Sequence, residues 1–178
     1  MLNELQSLFK SMETSRKSKG AFNHSQYVKA IKKGNCLFDN DEHHDSHEFV
    51  NWLLDDIHEN CIKSYEQRGE QSPYGPRGSF ISEFFEGKLQ NKFMCLTCEK
   101  TNTRLEAFNN LSIDIENNTS LAHCMQRFSV KELLNKGDKF YCEKCNAKQV
   151  ATKEITVNKY PKVLLLHLKR FKIDPRTY

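Results

Sequence analysis

The chain has 178 residues, 38% hydrophobic and 28% charged, which is the composition of an ordinary soluble globular protein with one core. Its formal net charge is +4 and its pI near 8.6, yet the cations are scattered in pairs such as Lys32-Lys33 and Lys169-Arg170, a weak footprint for nucleic acid. No apolar run approaches bilayer length, and the N-terminal MLNELQSLFKSMETSRK carries acids without a small-residue cleavage site, so neither membrane nor export is expected and a cytoplasmic or nuclear location is.

Leu2, Leu5, Leu8, Phe9 and Met12 recur at helical spacing and predict an amphipathic helix over 2–15. Asn23 or Ser25 can cap a second, shorter helix with Tyr27, Val28 and Ile31 on one face. A third helix is expected from Asp45 or Ser46 to about residue 65, where Phe49, Val50, Leu53, Leu54, Ile57 and Cys61 form one apolar stripe. Residues 66–79, EQRGEQSPYGPRGS, are rich in glycine and proline and without periodicity, and read as a flexible connector. Beyond them KLQNKFMC, TRLEAF, LSIDIE, KQVATKEITV and KVLLLHLKRF are short β-branched or aromatic segments that read as strands. Thr119 or Ser120 can cap a helix through Leu121, Cys124, Met125 and Phe128, and VKELL reads as one or two further helical turns. Helices first and strands after give an α+β class.

Four of the seven cysteines form two C-x-x-C pairs, Cys95/Cys98 and Cys142/Cys145, each at a predicted strand end. Two such knuckles facing one another supply the four soft donors of a closed, tetrahedral Zn²⁺ site, the alternative being four unligated thiols. With every position filled by thiolate, one such ion holds shape and does no chemistry. Cys61 and Cys124 fall on apolar helix faces as core residues, Cys36 sits in an expected loop, and none of the three reads as a catalytic thiolate.

Before the third helix, FDNDEHHDSHE concentrates five acids and three histidines. His43 and His47 could share a metal with a nearby carboxylate. Asp45 could simply cap the helix, although that accounts for one or two carboxylates of the five. The surplus suits a cationic ligand held by charge-assisted hydrogen bonds.

HHDSHEFVNWLLDDIHE resembles the Q-Q-D-A-H-E-F-L box of the ubiquitin-specific proteases, cysteine deubiquitinases. FISEFFEGKLQNKFMCLTC, FNNLSIDIENNTSLAHCMQRFSVKELL, FYCEKC and KYPKVLLLHLKRFK are similar, in order and approximate spacing, to the segments that follow it in that family. The match covers nearly the whole chain and comes close to the subgroup activated by WD-repeat proteins. It implies part of a papain-like right-hand fold: thumb helices in residues 1–65, zinc-bearing fingers in 80–157 and a palm strand with the chain end in 158–178. It implies ubiquitin or a ubiquitinated protein as partner, with Asp45 and Glu48 binding the arginines and backbone of the ubiquitin tail and Arg170 and Phe171 lying beneath that channel. His43 and His44 stand where the family box has glutamines, and an imidazole offers a rigid donor–acceptor pair that titrates where an amide does not.

The family's N-x-G-N-x-C-[YF] nucleophile box and its histidine box do not occur in the sequence, so no catalytic residue is assigned. Thiol hydrolysis needs thiolate, imidazole and oxyanion donors within hydrogen-bond reach, so this chain by itself is expected not to cleave ubiquitin. The expected role is part of a deubiquitinase; the alternatives are a non-catalytic relative that grips ubiquitin or a partner, and a zinc-ribbon nucleic-acid binder, for which Lys100, Lys144 and Lys148 mixed with Glu99 and Glu143 are a poor surface. VLLLHLKRF, apolar on both alternating faces, is expected inside a sheet covered on both sides, and exposing it would make the isolated chain poorly soluble.

Overall fold

The structure, a computed structural model, describes residues 2–14 and 22–170. The chain divides into two compact units, Met1–Ile57 and His58–Tyr178.

In the first unit, helix α1 (Leu2–Thr14) lies against α2 (Ser25–Gly34). Leu2, Leu5 and Leu8 are half-buried at the expected spacing, while Phe9 and Met12 stay exposed. The N-cap of α2 is His24, without a side-chain cap bond, rather than Asn23 or Ser25; Asn23 instead accepts the Ser25 N–H at 3.1 Å from one residue further upstream. Cys36–Phe38, read from sequence as loop, is a 3₁₀ turn in which Asn35 accepts from Leu37 N–H. That turn delivers Phe38, 8% exposed, into an aromatic cluster with Phe49 at 5.4 Å and Trp52 at 5.3 Å between ring centres. Offset and edge-on contacts of this kind stabilise beyond the area they bury. Gly34 belongs to the same arrangement: a Cβ there would stand 3.3 Å from the Trp52 ring. Helix α3 (Ser46–Gln67) takes the last three residues of the acidic segment as its first turn and runs slightly beyond its expected end. Its Leu54 and Ile57, both of the predicted stripe, are buried, and so is Ile62, which the stripe did not include, while Phe49, Val50, Leu53 and Cys61 are half-buried.

In the second unit, residues 66–79 are not a featureless connector. Arg68 N–H reaches Ser64 O, Ser72 Oγ donates to Gly78 O at 2.7 Å, and Gly78 N–H donates to Gly75 O at 3.0 Å. These bonds give the stretch defined turns, where glycine and proline content alone suggested flexibility. A short helix, α4 (Phe80–Phe85), follows; the sequence reading missed it. Ser79 caps it by accepting the Ile81 N–H, and Ser82 Oγ accepts the Ser79 N–H in return.

The main sheet has the order β2-β1-β7-β4, built from β1 (Gly87–Cys95), β2 (Thr101–Phe108), β4 (Glu132–Leu134) and β7 (Ala151–Lys159), all antiparallel. VKELL is thus corrected: its ELL is strand β4, paired Glu132 to Lys153 and Leu134 to Ala151. The predicted strand KQVATKEITV breaks at Val150, with β6 (Ala147–Gln149) before it and β7 after it. β6 closes a hairpin with β5 (Phe140–Cys142). β3 (Asn110–Asp114) and β8 (Leu165–Lys169) pair in parallel. Among the described residues β8 has no second neighbour, and its Leu165, Leu166 and Leu168 are half-buried rather than enclosed on both sides.

Phe108, Leu111, Ile113 and Cys124 form the core of this unit, with Leu89, Val157, Leu164 and Leu166 against them. Cys124 comes from α5 (Leu121–Phe128), capped by Ser120 as expected, so Cys124 is core and Cys61 is half-buried. Among the described residues no helix is long and apolar enough to cross a membrane.

Candidate functional site

Each C-x-x-C pair sits on a turn leaving a strand. β1 delivers Cys95; Glu99 N–H then returns to Cys95 O at 2.9 Å, and Cys95 N–H to Lys100 O at 3.1 Å, which folds the chain around the first pair. β5 delivers Cys142, and the turn into β6 carries Cys145. The residue after the second cysteine is left-handed in both turns, Glu99 at φ +58° and Asn146 at φ +49°. The two knuckles therefore share one backbone solution, although neither has glycine at that position. Leu96 N–H donates to Val150 O at 2.9 Å, tying the first knuckle to the chain just after the second. Phe93 stacks on Phe140 at 5.3 Å, with ring planes 12° apart, and holds the β5–β6 hairpin against β1. Thr97 Oγ1 donating to Gln149 Oε1 at 2.8 Å and Lys100 paired with Glu143 at 3.4 Å close the outer rim.

As a result Cys95, Cys98, Cys142 and Cys145 converge, their sulfurs all within 4.8 Å of one another. Cys98 and Cys142 stand 3.5 Å apart, Cys95 and Cys145 4.0 Å. Four thiolates at the ~2.3 Å bond length of a tetrahedral zinc centre lie about 3.8 Å from each other, so the spacing fits that ion. Cys95 and Cys142 are buried, 0% and 2% exposed, while Cys98 and Cys145 are half-buried. Burial alone would raise the Cys95 thiol, but the backbone N–H groups of Cys98 and Thr97 and the neighbouring thiols bring it down to about 6. Cys145 is pushed up to about 12, first by its hydrogen bond with Cys98 and then by burial and its other sulfur neighbours. Four sulfurs this close cannot all ionise unaided, and a soft dication removes that repulsion.

The acidic segment is built differently. Asp45 Oδ1 accepts the His47 N–H at 2.8 Å, and Asp45 O accepts the Phe49 N–H at 3.0 Å, so Asp45 is the N-cap of α3. Glu48 lies in the first turn of α3, three residues on and on the same face. Both carboxylates are exposed, where the positive end of the helix dipole favours anions. Upstream, Asn40 Oδ1 accepts from Glu42 N–H at 3.0 Å and from His44 Nε2 at 2.7 Å, and His44 meets the Phe38 ring edge-on at 5.2 Å. Sequence reasoning named His44 but not Asn40, whose pattern of an amide two and four residues before its partners is the available signal.

Arg170 follows β8 and is exposed; among the described residues it forms no ion pair. Phe171 lies outside the described residues. Of the remaining thiols, Cys61 is raised by burial, and among the described residues no thiol is hydrogen-bonded to an imidazole. A histidine does meet a hydroxyl, His58 Nδ1 to Ser79 Oγ at 2.7 Å, but Ser79 is 0% exposed and serves as a helix cap.

A family model described as "Ubiquitin carboxyl-terminal hydrolase" matches residues 1–178. Among curated proteins, "Ubiquitin carboxyl-terminal hydrolase 12" of Salmo salar is 37% identical over 97% of this chain and 50% of its own length. "Probable ubiquitin carboxyl-terminal hydrolase 9" of Schizosaccharomyces pombe is 37% identical over 84% of this chain and 25% of its own length. The chain therefore spans half or less of these relatives. Among solved structures, the SAGA Ubp8/Sgf11/Sus1/Sgf73 DUB module bound to ubiquitin aldehyde superposes with a TM-score of 0.73, at 26% identity, over 92% of this chain and 35% of the matched one. The same module bound to monoubiquitin gives 0.71 at 27% identity over 87% and 34%.

Proposed function

This chain belongs to the ubiquitin carboxyl-terminal hydrolase family, and on that premise we propose that it supplies the ubiquitin-gripping and metal-stiffened part of a thiol-dependent deubiquitinase. The observation that carries the reading is the convergence of Cys95, Cys98, Cys142 and Cys145 inside a chain that matches the family over its whole length. In this reading the four thiolates hold one Zn²⁺, which when bound cross-links β1 to the β5–β6 hairpin and supplies no reactive position. Asp45 and Glu48 meet the cationic tail of ubiquitin. Asp45 is suited to this because its cap bond fixes the carboxylate at a helix end while leaving it exposed. Arg170 and Phe171 enter the proposal as further contacts of the ubiquitin tail on the strength of the family resemblance alone.

In this reading the chain by itself binds ubiquitin without hydrolysing it, because thiol hydrolysis needs an imidazole placed to take the thiol's proton and thiolates that hold an ion are not available for attack. Protein partners beyond ubiquitin belong to the proposal too, with a WD-repeat activator as the expected kind and the cytoplasm or nucleus as the place. Related solved structures carry ubiquitin and the Sgf11, Sus1 and Sgf73 subunits, which supports a protein-binding role. Calorimetric titration of the chain with ubiquitin, beside a fluorogenic ubiquitin hydrolysis assay, tests the reading. Saturable binding without turnover is expected; turnover, or no binding by a folded chain, would overturn it.

A further inference from the structure

Two of the four clustered cysteines are half-buried and two are buried, and each half-buried one has a buried one as its near sulfur neighbour on the other knuckle. Cys98 is half-buried, and its sulfur stands 3.5 Å from that of Cys142, a residue 2% exposed. We propose that this centre is also an oxidant-sensitive switch, in which a peroxide oxidises Cys98, Cys142 closes a disulfide between the two knuckles, and the metal leaves. The inference rests on the metal reading above.

The chemistry balances without a further reagent. The Cys98 thiolate attacks the peroxide, breaking the O–O bond to give Cys98–SOH and hydroxide or alkoxide. Cys142 then attacks that sulfur; the S–S bond forms as the S–OH bond breaks, and its proton leaves with the hydroxyl as water. Two electrons pass from the sulfur pair to the peroxide. Closing 3.5 Å to a disulfide bond of ~2.05 Å requires about 1.5 Å of approach, within reach of two side-chain rotations. The ion then retains two thiolates of four and its affinity collapses. Cys145 and Cys95, 4.0 Å apart, form the second such pair.

The bridge joins the turn after β1 to β5, so the hairpin stays attached while the four-sulfur geometry is lost. A reduced dithiol with added metal restores the centre. Cys36, exposed and outside the cluster, competes for oxidant without contributing to this switch.

The test uses the full chain carrying Cys36→Ser, with metal content measured first, then hydrogen peroxide with a chromogenic chelator and peptide mapping of cross-links. About one equivalent of metal is expected to be released. Release should run in step with a cross-link between the Cys98 and Cys142 peptides, reversed by dithiol. A first cross-link within a knuckle, Cys95 to Cys98 or Cys142 to Cys145, would overturn the proposal, as would metal retained after those thiols are lost. A chain that holds no metal before peroxide defeats the metal reading instead, and the cross-link map then still judges the pairing.

Discussion

Asp45 carries two loads that one pair of substitutions separates. Its Oδ1 caps α3 through the His47 N–H at 2.8 Å, and its charge is the proposed counterpart of a ubiquitin arginine. Asn caps nearly as well as Asp, so Asp45→Asn keeps the cap and removes the charge, whereas Asp45→Ala removes both. A hydrogen bond to a charged group contributes roughly 1.5–3 kcal/mol, so either variant should weaken ubiquitin binding by about ten- to a hundredfold. Loss of the cap costs about 1 kcal/mol, so only the Ala variant should also melt roughly 2–4 °C lower. The Asn variant loses the weaker helix-dipole interaction alone. Binding by calorimetry and melting by circular dichroism give the two readouts independently. If Asp45→Asn bound ubiquitin like the parent, or if affinity followed melting temperature through both variants, the carboxylate would be a cap and nothing more.

Gly87 opens β1 where an added Cβ would press into the Phe108 ring and stand 2.8 Å from Lys159 O. Overpacking of this kind costs about 1–3 kcal/mol, so Gly87→Ala should unfold at lower urea. Ser79→Ala should be comparably damaging, roughly 1–3 kcal/mol by urea titration, because it removes the α4 cap and leaves the His58 Nδ1 bond unmade. Glu83 is held below its ordinary carboxylate pKa by its hydrogen bond and charge contact with Lys162. Its stabilisation is therefore present above the usual carboxylate pKa and lost as pH falls through the lowered value, so Glu83→Gln should narrow the gap in melting temperature between neutral and acidic buffer. An unchanged gap would mean the pair contributes nothing.

The third helix was legible because its apolar stripe is long and its cap is acidic, and the knuckles were legible because cysteine spacing is discrete. The short elements were not. Lys131, Glu132, Leu133 and Leu134 are good helix formers by intrinsic preference, yet β7 offers an open edge there, with Lys131 brought to Glu154 at 3.8 Å, and pairing outweighs a few tenths of a kcal/mol of propensity. FISEFF is too short and too aromatic to show a helical period, and its capping box uses Ser82 where glutamate or glutamine is the usual sign. Val150 looks like any strand valine, but its carbonyl is taken by Leu96 N–H, a bond to a distant knuckle that interrupts the strand. At the site, the four sulfurs were readable one by one. What the sequence concealed is which sulfurs face each other and which stay exposed, because that depends on how β1 and the β5–β6 hairpin dock through Phe93 and Phe140.

X-ray absorption at the zinc edge, on chain purified without added metal, addresses the four-sulfur centre most directly. About one ion per chain bound by four sulfurs at ~2.3 Å is the expected spectrum. A chain that folds without metal, or an ion with nitrogen or oxygen among its nearest neighbours, would contradict the account.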